Sequence, residues 1–187
     1  MDPSSTVDPV TELPLDLDRL VEESLRERFG AVAVLRDRWR DGSNRFDQGG
    51  EALFAARTPS GSLAGVCGLN LDPYVDDPGV GRLRHLYLLP PFRRQGIATA
   101  LVGAVIHQAR GTFRVLRLRT DRADADALYT ALGFERCSEP DCTHVVDLSS
   151  VTCRAFLSFR RHDPAFRAHI RSMSRRRKWV AQLMHGS

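Results

Sequence analysis

The chain has 187 residues, 42% of them hydrophobic and 27% charged, which suits a soluble globular domain with an appendage and room for a sizeable core. No apolar run approaches the roughly 20 residues that a membrane span requires. The formal net charge of +4 hides an asymmetry. Residues 150–187 carry nine Arg or Lys against one acid, while the preceding residues are net acidic.

The first twenty residues, MDPSSTVDPVTELPLDLDRL, are acidic and lack an apolar signal-peptide segment. Four cysteines (Cys67, Cys137, Cys142, Cys153) form no C-x-x-C pair and no zinc-type spacing with histidine. A cytoplasmic protein with reduced thiols and no metal is expected. Residues 1–14 carry Ser, Thr, Asp and Pro without periodicity and read as a flexible N-terminus.

LDLDRLVEESLRERFG has apolar residues at helical spacing, with Gly30 as the expected stop, and AVAVLRDRWRDG forms a second helix ending at Gly42. EALFAART and SLAGVCGLNL flank PSG, the pattern of a hairpin. RLRHLYLL is a strand closed by Pro90-Pro91, because proline donates nothing to a sheet ladder. Ile97, Leu101, Val105 and Ala109, with Val102 and Ile106 beside them, draw a buried helical stripe. FRVLRLRT is the next strand, whose arginines 114, 117 and 119 read as a solvated face. DRADADALYTALG is a short helix capped by Asp121 and Gly133, and FERCS and THVVDL close the sheet.

Strand, helix and strand in succession from Arg82 to Thr120 require a parallel pair with a crossover, and the hairpin adds an antiparallel part. Ligands on such sheets bind beyond the carboxyl ends of the parallel strands, where PPFRRQGIA lies. There Arg93 and Arg94 precede a helix whose positive dipole end disfavours cations. Free first-turn amides, small Gly96 and Ala98, and two guanidinium groups together make a site for a polyphosphate.

Arg93-x-x-Gly96-x-Ala98 after LYLLPPF, with ALYTALGFERC about thirty residues later, resembles the GNAT superfamily of acetyl-CoA-dependent N-acyltransferases. The resemblance covers roughly residues 15–148. It implies a mixed α/β fold, a mostly antiparallel sheet with two splayed parallel central strands and helices on both faces. It implies acetyl-CoA as co-substrate, with Arg93, Arg94, Gln95, Gly96, Ile97, Ala98 and Thr99 around the pyrophosphate. Leu86, Tyr87 and Leu88 would offer backbone groups to the pantetheine, with the Leu88 N–H on the thioester carbonyl. Tyr129 would protonate the leaving thiolate. Where many members carry asparagine seven residues before that tyrosine, this chain has Arg122.

The amine proton is expected to leave through water or to His85, whose reference pKa is near 6.5, although strand alternation turns His85 to the face opposite Arg84 unless a bulge re-aims it. Trp39, Asn44, Arg45 and Asp72 are candidates for the acceptor site, the aspartates of NLDPYVDDPG either serving as turn residues or suiting a cationic amine. A small-molecule amine is the expected acceptor, taken by direct transfer in a ternary complex. The rival reading is a non-catalytic acyl-CoA-binding domain whose basic tail contacts nucleic acid. Residues 149–187 are expected to be a basic helical extension, with Asp163 and Pro164 opening a helix that docks on the acidic domain or a second copy.

Overall fold

The computed structural model describes residues 5–149. Seven strands lie side by side in the order β1-β2-β3-β4-β5-β7-β6. They are β1 (Thr6–Pro9), β2 (Ala52–Arg57), β3 (Leu63–Leu71), β4 (Val80–Leu88), β5 (Val115–Leu118), β6 (Glu135–Glu139) and β7 (Cys142–Asp147). The helices are α1 (Leu17–Arg26), α2 (Ala31–Asp41), α3 (Ile97–Ala109) and α4 (Ala123–Ala131). Every neighbouring pair is antiparallel except β4 and β5.

Alternation along the central strands sorts side chains into two cores, one on each face. Phe54, Ala64, Cys67, Leu69 and Leu83 pack with the α3 stripe of Ile97, Leu101, Val102, Val105, Ile106 and Ala109. Leu53, Ala55, Leu63, Val66 and Tyr87 pack with Leu17, Leu20 and Val21 of α1 and Val32 and Leu35 of α2. The α3 stripe is the one drawn by the sequence period. None of the helices among the described residues is long and apolar enough to cross a membrane.

Four expectations are corrected. Residues 6–9 are not loose: Thr6 to Pro9 pair with Arg57 to Phe54 along the sheet edge, held by backbone groups that leave no side-chain pattern. Gly30 does not end the first helix. That helix stops at Arg26, and Gly30 begins α2. Asp121 caps nothing, since α4 starts after Arg122 and has no side-chain cap. Arg117 is buried rather than solvated, because Asp72 and Glu139 take its charge. The expected basic helix at residues 163–187 lies outside the described residues.

Candidate active site

The parallel pair is short. Val80, Gly81 and Arg82 pair with Val115, Leu116 and Arg117, and β4 then runs on to Leu88 without a partner on that side. Leu89 donates its N–H to the Ala64 carbonyl (2.9 Å), so Leu89 and Tyr87 turn their backbone groups toward β3. By alternation Leu86 and Leu88 turn theirs into the open gap between β4 and β5. Tyr87 therefore offers no backbone group to a ligand there, contrary to expectation. Its side chain goes the other way, stacking on Phe29 (5.6 Å) and donating to Glu27 Oε2 (2.9 Å).

Beyond β4 a 3-10 turn, Pro90–Phe92, delivers the chain to α3. Arg94 (φ 61°) and Gly96 (φ 82°) both adopt left-handed backbone, a conformation cheap only for glycine. The first helical bond joins Ala100 N–H to the Gly96 carbonyl (3.0 Å), which leaves the amides of residues 97–99 without helical partners. Gln95 folds back, its Nε2 donating to the Pro91 carbonyl (2.8 Å). The result is an open cradle of backbone donors at a helix N-terminus, a fit for pyrophosphate oxygens.

The two arginines of this turn separate. Arg93 points back under the loop: NH1 donates to Glu27 Oε1 (2.8 Å), NH2 pairs with Glu27 Oε2, and Nε donates to the Leu88 carbonyl (3.0 Å). The Arg93 guanidinium holds the Glu27 carboxyl below the usual carboxylate range, with the Tyr87 hydroxyl adding to it. The Arg93 side chain is thus a brace between α1 and the end of β4. Arg94 is exposed and has no ion-pair partner among the described residues.

The gap opens into a cavity of about 730 Å³ lined from both faces of the sheet. Gly96 and Thr99 flank it at the head of α3, Leu128 and Tyr129 from α4, and Phe29 and Ala31 from the α1–α2 junction. The Tyr129 ring is almost fully buried against Phe134 (5.5 Å) and His144 (5.8 Å). Burial pushes its phenol far above the ordinary value, so it keeps its proton. Cys67 is completely buried and its thiol is likewise pushed up by desolvation, which makes it inert as a nucleophile.

His85 sits on a bulge. The register steps from Val66↔Tyr87 to Gly68↔Arg84, and His85 takes a φ of 57°. The extra residue lets Arg84 and His85 share the α1/α2 side: Nδ1 of His85 meets the Ala31 carbonyl (2.8 Å), and the ring stands edge-on to Phe46 (6.0 Å). Phe46 fits there because residue 68 is glycine; a Cβ would lie 2.5 Å from its ring. With Nδ1–H donating to Ala31, Nε2 carries the lone pair and has no partner among the described residues. Burial, helped by the Arg84 charge, lowers its pKa to about 4. That makes His85 too weak a base to hold a proton taken from an amine.

The expected acceptor residues do not reach this cavity. Asn44 and Asn70 exchange amide hydrogen bonds (3.1 Å each way), and Asn44 Oδ1 also accepts from the Phe46 N–H (3.1 Å). Trp39 stacks on Phe46 (6.3 Å), and Arg45 donates to the Trp39 carbonyl (3.3 Å). Asp72 is buried between Arg82 (3.2 Å) and Arg117 (3.6 Å), fully used by two guanidinium groups. These four residues shape loops and the sheet junction instead. Neither the Glu27 brace nor the place of Arg84 on the cavity wall has a mark in the sequence. A lone Glu at a helix end and an Arg in a strand carry no spacing signal.

A family model described as the acetyltransferase (GNAT) family matches residues 16–134. The chain belongs to the GNAT acetyltransferase family. It is 33% identical over 98 residues to an aminoglycoside N(6')-acetyltransferase type 1 of Klebsiella aerogenes, a match covering 49% of this chain and 64% of that protein. The chain thus spans less than two thirds of that relative. Among solved structures, a protein assigned as an acetyltransferase from Exiguobacterium sp. 255-15 superposes with a TM-score of 0.72 at 29% identity, covering 83% of this chain and 98% of that one. A GNAT family N-acetyltransferase (YhbS) of Escherichia coli in complex with CoA shares the fold at 21% identity, with a TM-score of 0.59 and coverage of 79% and 84%.

Proposed function

We propose that this GNAT chain transfers an acetyl group from acetyl-CoA directly to an amine. The observation that carries the reading is the continuity of one cavity from the amide cradle at Gly96, along the free edge of β4, to Tyr129. Amides 97–99 and the Arg94 guanidinium would hold the pyrophosphate. The backbone groups of Leu86 and Leu88 would take the pantetheine as a missing strand. Each fits a substrate that is polyanionic at one end and amide-bearing in the middle.

In the transfer the amine nitrogen bonds to the acetyl carbon while the carbon–sulfur bond breaks. Charge collects on the carbonyl oxygen, where the Leu88 N–H is fixed to receive it; one such donor is worth on the order of 3 kcal/mol in acyl transfer. The Tyr129 hydroxyl, kept protonated by burial, would donate a hydrogen bond to the departing thiolate, which takes its proton from water. A thiol pKa near 8.5 makes the thiolate a leaving group that such a hydrogen bond can stabilise without full proton transfer. The amine proton leaves by water, because His85, with a pKa of about 4, accepts a hydrogen bond through Nε2 without storing the proton. Cys67 is too buried to be acylated, which favours a single transfer in a ternary complex.

The test is thiol release from acetyl-CoA across a panel of amines, beside calorimetry with coenzyme A. Turnover that collapses in Tyr129→Phe while coenzyme affinity holds within about two-fold supports the reading. Coenzyme binding with no turnover on any amine would make the chain a binding domain. No coenzyme binding would remove both.

A further inference from the structure

Resting on the acetyltransferase reading, we infer that the acceptor is an amine bearing a carboxylate, and that Arg84 is the residue that receives the carboxylate. Six guanidinium groups and a single carboxylate, Asp124, line the cavity. Most of these cations are spoken for. Asp124 takes Arg122 in two hydrogen bonds of 3.1 Å, and Glu27 holds Arg93. Arg82 is divided among Asp72, the Asp141 carbonyl (2.7 Å) and the Tyr74 ring (4.6 Å). Arg119 donates to the Pro140 carbonyl (2.5 Å) and lies 3.7 Å from Asp141.

Two guanidinium groups remain without a carboxylate partner among the described residues, and they stand at opposite ends. Arg94 belongs to the cradle at the head of α3. Arg84 lies on β4 four residues before Leu88, a span of at most roughly 13 Å because the bulge at His85 shortens the strand. Its neighbour Leu83 packs in the α3-side core, so Arg84 faces α2 instead. The groups around it are Arg38 of α2, Arg82, His85 on the bulge, Tyr74, and Asp72, whose charge is already shared by Arg82 and Arg117.

Arg84 is half-buried, so its donors are partly stripped of water. Burial and the charges of Arg38 and Arg82 disfavour its cation. A half-desolvated guanidinium among like charges is costly until an anion arrives, and its planar fork matches a carboxylate. The pyrophosphate cradle is on the α3 side, leaving this cation to the other substrate. A polycationic acceptor, such as the aminoglycosides named for the Klebsiella relative, meets repulsion here. The acidic residues from which a cationic acceptor was expected are either consumed, as Asp72, or outside the cavity, as Asp76 and Asp77.

The experiment compares a series of ω-amino acids of increasing length, and short peptides, with their carboxamides. The expected result is that the best carboxylate acceptor exceeds its amide at least ten-fold in kcat/KM, mostly through KM. Arg84→Gln erases the preference while the KM for acetyl-CoA stays within two-fold, and Arg84→Lys restores part of it. Independently of turnover, calorimetry with the N-acetyl products is run on the protein with and without coenzyme A. Acids should outbind amides in the wild type and not in R84Q, with thermal melts showing that the variant is folded. Equal binding of acids and amides, undetectable binding of both, or an acid preference that survives R84Q overturns the inference. Failure of the transferase reading looks different, because coenzyme A then does not bind or is never turned over.

Discussion

Tyr129 and His85 carry opposite electrostatic lessons from the same cause. Burial removes water from both, and in each it penalises the charged form: the phenol keeps its proton and the imidazole refuses one. For Tyr129 this keeps the hydroxyl a hydrogen-bond donor at any physiological pH. Tyr129→Phe should lower kcat about 10²-fold in the thiol-release assay, with the coenzyme Kd unchanged. For His85 it makes stability depend on pH. The unfolded chain binds a proton near pH 6.5 and the native chain not until about 4, so stability is complete above pH 6.5 and falls as pH drops toward 4. The loss amounts to up to about 3 kcal/mol at 1.36 kcal/mol per unit. Denaturant melts from pH 4.5 to 7.5 should show that slope in the wild type and a flatter one in His85→Gln.

Among the secondary elements, the α3 start and the β4 bulge decide the site, and they differ in how they are written. The α3 start is a local statement: prolines end a strand, glycine permits φ of 82°, and an apolar period follows. Gly96→Val should cost about 1–3 kcal/mol of stability through strain and raise the coenzyme Kd at least ten-fold, read by thermal melting and calorimetry. The bulge has no such local mark. His85 in HLYLL looks like any strand residue, and only the pairing of β3 with β4 shows that two residues stand opposite Cys67. The β4–β5 junction is likewise tertiary. Asp72 comes from the loop after β3, Arg82 from β4 and Arg117 from β5. Asp72→Asn should destabilise by about 3–5 kcal/mol, because buried Arg82 would lose its carboxylate partner and Arg117 would keep only Glu139; the melting temperature reports it.

At the level of the domain, the described residues, 5–149, by themselves build two cores, a seven-stranded sheet and the cavity. A chain ending at residue 149 should therefore melt cooperatively and keep its coenzyme Kd within about two-fold. Salt-sensitive binding of DNA by the full chain that disappears on that truncation would assign the +8 tail to a nucleic acid.

The amino-acid sequence by itself determined the helix stripe of α3, the hairpin and the parallel crossover, because periodicity and turn chemistry act between residues a few positions apart, and its two motifs carried the resemblance to the family. It also located the amide cradle and Tyr129. It did not separate Arg93 from Arg94, nor Asp72 from an acceptor site, nor Arg84 from the other arginines. Which cation keeps a free charge depends on where the carboxylates come to rest, and Glu27 is 66 residues from Arg93. Only the closed sheet brings such partners within the few ångströms over which ion pairing is decided.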